Sequence, residues 1–152
     1  MRVLVDTNVL VDVMRGEEPW FSSSAAQLAE AADRSTLVIN PVIYAEVSVR
    51  FTHVEDLDRA LPPRDYRRLD LPWAAAFLAG KSFLAYRTRG GRRPVPLPDF
   101  YIGAHAAVAG YRLLTRDAAR YRTYFPTLEL IAPSRGGFPT LDTLVHVCDR
   151  VL

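Results

Sequence analysis

Short runs of apolar residues alternate with segments of helical periodicity along nearly the whole of this chain. The runs at 3–5, 36–39, 112–115 and 128–131 are rich in Val, Leu and Ile, as is typical of buried strands. Strands that alternate with helices predict a parallel sheet covered by helices on both faces and joined by right-handed crossovers. We therefore expect an α/β fold with three α/β/α layers around a central, mainly parallel sheet of four to five short strands.

The segments between the strands are predicted to be helices. Their expected positions are 8–15, 22–32, 41–53, 54–61, 73–87, 100–109 and 117–124. The polar stretch at 64–71 is compatible with a short edge strand. Helix 73–87 carries Trp73, Phe77 and Leu84 together with small residues suited to close packing, so we expect it to be a core element.

Length and composition favour one intracellular domain. The 152 residues are 49% apolar, which is enough for a single domain, 1–152, to bury a core; 133–152 is a tail expected to end in a helix. Cys148 is the only cysteine, which excludes an intrachain disulfide and a cysteine-rich metal site. No apolar stretch approaches the roughly 18 residues of a membrane span. We expect a cytoplasmic protein.

Four acidic residues adjoin apolar sequence, where soluble proteins rarely place an ionised side chain. Asp6 ends the first strand, Glu46 lies on an apolar helix face, Asp99 begins a helix and Asp117 follows a late strand. Ligands of parallel sheets bind outside the carboxyl ends of the strands, which is where Asp6 and Asp117 fall. Carboxylates gathered in such a place need a cation, and Mg²⁺ or Mn²⁺ is the usual one.

Taken singly, each of these acids has an ordinary explanation. Asp6 and Asp99 would serve as helix caps, Asp117 as a turn residue or cap, and Glu46 as half of a surface pair with Arg50. The joint pattern favours an acidic site, because four independent coincidences are otherwise required.

The same pattern resembles the PIN domain family. The residues that carry the resemblance are Val5-Asp6-Thr7-Asn8, mid-helix Glu46, Pro98-Asp99 and Leu114-Thr115-Arg116-Asp117, in this order. The resemblance covers nearly the whole chain and is greatest to VapC-type toxins, the ribonuclease halves of toxin–antitoxin pairs. It implies a PIN-like fold and a metal-dependent endoribonuclease that hydrolyses phosphodiester bonds in RNA.

The resemblance also implies roles for individual residues. Asp6, Glu46, Asp99 and Asp117 would be catalytic and would hold Mg²⁺ or Mn²⁺, with Asp6 and Asp99 as the best candidates for direct ligands. The expected positioning residues are Thr7, Asn8 and Thr115. Apart from the resemblance, positive charge suggests RNA phosphate contacts for Arg116, which could instead pair with a neighbouring residue, and for Arg89, Arg92 and Arg93. A solvated loop explains the last three equally well, and codon bias explains the excess of arginine over the single lysine, Lys81.

The implied partners are an RNA substrate and a cognate antitoxin, whose C-terminal segment would cover the acidic cleft with a basic side chain. A homodimer or a toxin–antitoxin hetero-oligomer is also implied, and the apolar residues of helices 8–15 and 41–53 are compatible with it. We expect no membrane partner.

Two other classes of protein remain to be weighed. A non-catalytic PIN-type module would bind RNA or protein without cutting, although it would have no physical reason to keep four mutually repelling acids. Haloacid dehalogenase-like phosphatases need a second aspartate two residues after the first. Here that position holds Asn8, which disfavours the phosphatase.

Overall fold

The computed structural model describes residues 1–94 and 97–133, and within these ranges the chain forms five strands and seven helices. The strands are β1 (Arg2–Val5), β2 (Thr36–Ile39), β3 (Tyr66–Arg68), β4 (Arg112–Leu114) and β5 (Leu130–Ile131). The helices are α1 (Thr7–Arg15), α2 (Phe21–Arg34), α3 (Pro41–Ser48), α4 (Val54–Ala60), α5 (Trp73–Thr88), α6 (Pro98–Ala109) and α7 (Ala118–Tyr124). The predicted tail lies outside the described residues from 134 onward.

The five strands form one parallel sheet in the order β3-β2-β1-β4-β5. This confirms the predicted α/β class. Strands β2 and β3 follow β1 in the chain and lie on one side of it in the sheet. The later strands β4 and β5 lie on the other side of β1. The direction therefore reverses between β1 and β4, and the crevice outside their carboxyl ends is where such sheets bind ligands.

The sheet places the chain's most apolar residues at its centre. Val3, Leu4 and Val5 of β1 are fully buried, as are Leu113 and Leu114 of β4. Because both faces of the sheet are covered, the strands are continuously apolar rather than alternating. No helix within the described ranges has the length and apolar character needed to span a membrane.

Helix α3 ends at Ser48, five residues earlier than predicted. The Ser48 hydroxyl donates to the Ala45 carbonyl at 2.6 Å, and Arg50 and Phe51 donate to carbonyls only three residues back. A serine hydroxyl that competes for backbone carbonyls favours the end of a helix. The possible edge strand at 64–71 is confirmed as β3.

The prediction that α5 is a core element is confirmed for its small residues but not for the large ones, Trp73, Phe77 and Leu84. These side chains are 91%, 69% and 59% exposed. Helix α5 instead packs on α6 through a narrow face of small residues, Ala75, Ala79 and Ser82. Small residues let two helices approach closely, so they decide which face of α5 turns inward.

Gly103 of α6 is a position where any larger residue would overlap buried rings. A Cβ atom there would lie 2.4 Å from Cε2 of Phe125 and 3.0 Å from Cδ1 of Tyr121, both buried rings. Gly103→Ala should therefore lower the free energy of unfolding by about 1–3 kcal/mol, measured by urea denaturation. Gly80→Ala is the matched control, because its Cβ would meet nothing within 4 Å and alanine favours a helix. Equal destabilisation by both variants would contradict this packing.

Candidate functional site

Asp6 lies directly after β1 and caps the N-terminus of α1. Its Oδ1 accepts a hydrogen bond from the Thr7 backbone N–H at 2.7 Å. Its Oδ2 accepts from the Thr115 hydroxyl at 2.8 Å and from the Tyr121 hydroxyl at 3.0 Å. The side chain is thus fixed by residues that are distant in sequence, and the residue is only 3% exposed.

Burial of this carboxyl has a large electrostatic effect. Desolvation raises the pKa of Asp6 to about 7, and the negative charge of Asp99 adds to the rise. The hydrogen bonds from Thr115 and Tyr121 act in the opposite direction and only partly offset it. Asp6 therefore carries its charge near neutral pH only at a free-energy cost, which a proton or a nearby cation would relieve.

Glu46 of α3 points to the same place. Its Oε1 accepts from the Thr7 hydroxyl at 2.7 Å. Burial raises the pKa of Glu46, the hydrogen bond from Thr7 lowers it, and the charge of Asp99 raises it further. Within the described part of the chain Glu46 forms no ion pair with Arg50, so the surface pair that its spacing suggests is absent.

Asp99 lies in the first turn of α6 and receives a positive charge from α7. The guanidinium of Arg120 donates to Asp99 Oδ2, and its Nε lies 3.6 Å from Asp117 Oδ2. Asp117 occupies the N-cap position of α7 without a capping hydrogen bond from its side chain, which is 46% exposed. Arg120 thus bridges the two acids.

Three of the four predicted acids line one cavity of about 250 Å³ beside the carboxyl end of β1. They are Asp6, Glu46 and Asp99. Asp117 is not part of this lining and reaches the site through Arg120. The structure therefore brings together Asp6, Glu46 and Asp99, while Asp117 lies at the margin.

The donor chemistry of this cavity fits a hard divalent cation. Oxygen ligands suit Mg²⁺ and Mn²⁺, and the charge of Asp99 adds to the rise in the pKa values of Asp6 and Glu46, as expected where negative charges lie close together. Yet no group of three or more His, Cys, Asp or Glu side chains in 1–94 and 97–133 is arranged to hold a metal. In this structure Oδ2 of Asp99 is paired with Arg120.

The three predicted positioning residues all contact the acids or one another. Thr7 contacts both Asp6 and Glu46, as described above. Thr115 accepts from the Asp117 backbone N–H at 3.0 Å and from the Asn8 amide at 3.4 Å while it donates to Asp6. Asn8 also accepts from the Arg116 backbone N–H at 3.1 Å. These contacts join the α1 N-terminus to the β4–α7 turn.

Arg116 is held against the protein on two sides. Its Nη1 lies 3.0 Å from Asp12 Oδ1, and its guanidinium lies 4.9 Å from the centre of the Trp20 ring. It also lines the cavity. The structure thus pairs Arg116 with a neighbour, one of the two roles that its sequence position allows.

The other predicted RNA-binding arginines lie apart from the acids. Arg89, Arg92 and Arg93 are exposed on the loop after α5, and none of them is among the described residues that line the cavity. The Arg89 guanidinium lies 5.5 Å from the centre of the Tyr124 ring.

Sequence reasoning missed Tyr121 and Arg120 as parts of the site. Tyr121 is only 1% exposed and its hydroxyl donates to Asp6, so its ring is not available to stack on RNA bases. Arg120 follows Asp117 by three residues, a spacing that predicts contact with Asp117 on a helix. Nothing in the local sequence connects either residue to Asp6 or Asp99.

Comparisons with known proteins agree with this arrangement. A family model described as the PIN domain matches residues 3–126. A solved structure of VapBC2 from Rickettsia felis bound to a promoter DNA fragment has a TM-score of 0.65 and 18% identity, over 88% of this chain and 100% of that chain. VapBC-1 from nontypeable Haemophilus influenzae has a TM-score of 0.65 and 21% identity, over 87% of this chain and 98% of that one.

A third similar structure is a toxin–antitoxin complex from Klebsiella pneumoniae, with a TM-score of 0.58 and 19% identity over 88% of this chain and 98% of that chain. No curated protein matches the sequence. At these identities the solved structures support the fold, whereas the family model spans most of the chain. The chain belongs to the PIN domain family.

Proposed function

We propose that this chain is an endoribonuclease that requires Mg²⁺ or Mn²⁺, and that it is the toxin of a VapBC-type pair. One observation carries the proposal. Asp6, Glu46 and Asp99 come from three separate elements and line one cavity at the carboxyl end of β1. Buried acids with raised pKa values at such a position favour a site for chemistry on a charged substrate. The similar solved complexes support the toxin assignment.

The proposal assigns a role to each of the four acids. Asp6 and Asp99 hold the cation, with Glu46 and Asp117 completing its surroundings directly or through water. The bound ion supplies positive charge to the reacting phosphate and acidifies water for hydrolysis. Glu46 is the candidate proton acceptor, because its raised pKa brings its proton affinity closer to neutral pH.

The hydroxyl groups around the acids keep them in position. Thr7 orients Glu46, and Thr115 and Tyr121 orient Asp6. Such contacts fix the direction of the carboxylate lone pairs before substrate binds. Removing one of them typically lowers metal affinity or activity by about 10–100-fold.

The direct test is to incubate the full chain with single-stranded RNA and either Mg²⁺ or Mn²⁺. We expect fragments that carry a 5′-phosphate and a 3′-hydroxyl, and we expect chelation with EDTA to stop their formation. Asp99→Asn should remove cleavage, whereas Asp70→Asn, which changes an exposed acid outside the cavity, should not. Fragment ends can be mapped by sequencing.

Two results would contradict the proposal. Cleavage that survives both EDTA and Asp99→Asn would show that the carboxylates do not act through a metal. RNA that binds but stays intact with either ion would favour the non-catalytic module, in which the Arg120–Asp99 pair keeps the acids neutralised.

The proposed partner is a small antitoxin whose C-terminal segment covers the acidic cavity with a basic side chain. The excess of carboxylate charge in the cavity supports this choice, because a cationic group there would relieve the repulsion among the acids. Co-purification with the product of an adjacent short reading frame is the expected result. A chain that purifies alone and leaves growth unaffected would count against it.

A homodimer through α5 is the second proposed assembly. Helices α1 and α3 turn most of their apolar residues into the core, so they offer little surface for a partner. Trp73, Phe77 and Leu84 instead form an exposed apolar stripe on α5, with Gly80 between them. A self-complementary stripe of this kind suits a two-fold interface. Trp73→Ser should shift the purified chain from dimer to monomer in light scattering, and an unchanged mass would exclude this interface.

A further inference from the structure

The cavity that contains the acids is also lined by three arginines, and two of them have no role in the site so far. They are Arg15, the last residue of α1, and Arg50, two residues beyond the end of α3. The third, Arg116, is paired with Asp12 and covers Trp20. Neither Arg15 nor Arg50 was singled out as an RNA ligand from the sequence.

The side chains of Arg15 and Arg50 form no hydrogen bond or ion pair with any other residue in 1–94 and 97–133. The sequence spacing of Glu46 and Arg50 suggests an ion pair on one helix face, but α3 ends at Ser48, so Arg50 does not continue that face. Glu46 turns to Thr7 instead. The two guanidinium groups therefore keep their full hydrogen-bonding capacity at the cavity.

The acids of this cavity repel a nucleic acid strand electrostatically. Asp6, Glu46 and Asp99 repel its phosphates, and a divalent ion between the acids can neutralise only part of that repulsion. The phosphates on either side of the scissile one need cationic partners of their own. Guanidinium groups bind phosphate oxygens in a bidentate manner, which suits them to this task.

We infer that Arg15 and Arg50 bind the RNA phosphates that flank the scissile phosphate, one from the end of α1 and one from the end of α3. This inference rests on the proposed function and names the residues that position its substrate. The two arginines provide affinity and register without touching the bases. They differ in this from Arg116, whose guanidinium is already engaged by Asp12.

The structure also offers a simpler role for Arg15, since a cation in the last turn of α1 stabilises the helix dipole. If this were its only role, substitution of Arg15 would change the stability of the protein and leave its affinity for RNA unchanged. The test must therefore measure binding separately from folding and from cleavage.

The experiment measures the Kd of a short, fluorescently labelled single-stranded RNA by anisotropy, with EDTA present so that no cleavage occurs. We expect Arg15→Gln and Arg50→Gln each to raise Kd about 5–10-fold. Each should also lower the salt dependence, the slope of log K against log salt, by about 0.7, the value for one phosphate contact on a single strand. Arg15→Lys and Arg50→Lys keep the charge and should retain part of the affinity.

Arg34→Gln is the matched control, because Arg34 is an exposed arginine in the last turn of α2 and does not line the cavity. It removes the same charge and should leave Kd and the salt slope nearly unchanged. Melting temperatures identify any variant that is misfolded. If a glutamine variant is misfolded, the Kd of the corresponding lysine variant is compared with that of wild type and Arg34→Gln instead.

The outcomes separate this inference from the proposed function. If Arg15→Gln and Arg50→Gln match Arg34→Gln in both Kd and salt slope while the wild type binds and cuts RNA, the inference alone is wrong. If the expected losses occur but no metal supports cleavage, the inference stands and the nuclease proposal fails. A wild-type chain that binds no RNA in EDTA and cuts none with Mg²⁺ or Mn²⁺ overturns both.

Discussion

Asp6→Asn is expected to lower kcat/KM for RNA cleavage on the order of 10³-fold. The substitution removes the charge that lies deepest in the cavity, where it acts on the bound cation in a medium of low dielectric. It leaves the local structure intact, because Asn is as good an N-cap as Asp. The Tyr121 hydroxyl can rotate to accept from the new amide, whereas the Thr115 hydroxyl already accepts from Asp117 and Asn8 and loses its acceptor at position 6. The measurement is the initial rate of cleavage at saturating Mg²⁺ or Mn²⁺.

Tyr121→Phe is the comparison variant for this prediction. It removes the hydroxyl that contacts Asp6 and keeps the ring that packs near Phe125. We expect a smaller loss, about 10–100-fold, because the carboxylate is retained and only its orientation is loosened. Asp6→Asn with near wild-type activity would show that the buried carboxylate has no part in catalysis.

The free energy of unfolding of the metal-free protein is expected to fall as the pH rises from about 4 to about 7. The folded protein raises the pKa of Asp6 from 3.8 to about 7, mainly through burial. Between these two values the folded state binds more protons than the unfolded state, so stability decreases with increasing pH. The contribution of Asp6 is present in full below the unfolded pKa and is lost as the pH passes the folded pKa. Its size is on the order of 4 kcal/mol.

The pH prediction is tested by comparing wild type with Asp6→Asn in urea denaturation with EDTA present. Glu46, whose pKa is also raised, acts in the same direction, so the difference between the two proteins isolates Asp6. Asp58 acts in the opposite direction, since its pKa is lowered by hydrogen bonds from Arg68 and Tyr44. Asp6→Asn should gain stability relative to wild type as the pH rises. A difference that stays constant from pH 4 to pH 8 would refute the raised pKa.

The effect of Mg²⁺ on stability gives a second measurement of the charge on the Asp6 carboxylate. A cation that binds the folded state and neutralises the carboxylates should restore stability at pH 8 in the wild type. The effect should be much smaller in Asp6→Asn. Asp70→Asn controls for the loss of one exposed acidic charge.

The layout of the fold could be predicted from local pattern. Apolar runs predicted β1, β2, β4 and β5 within one or two residues of their observed ends, and the parallel arrangement followed from the alternation with helices. The position of an acid at the end of a strand or the start of a helix is likewise a local property. Because the carboxyl ends of parallel strands meet at one edge, the sequence places Asp6 and Asp117 at the same edge of the sheet.

Local pattern failed where a choice between faces or partners was needed. In α5 the large apolar residues suggested a buried face, but contact with α6 requires the small face of Ala75 and Ala79. For Glu46, the spacing to Arg50 suggested an ion pair, whereas the structure provides Thr7 as partner. In both cases the deciding neighbour is remote in sequence.

The sequence by itself determined the type of each element, the order of the elements and the end of the sheet at which the acids gather. Only the tertiary structure decided that Tyr121 and Thr115 hold Asp6, that Arg120 joins Asp99 to Asp117, and which arginines face the cavity. The physical reason is the separation along the sequence over which each kind of interaction acts. Backbone preference and apolar periodicity act over a few residues, while the hydrogen bonds from Thr115 and Tyr121 to Asp6 join residues more than a hundred positions apart and exist only once the core has packed.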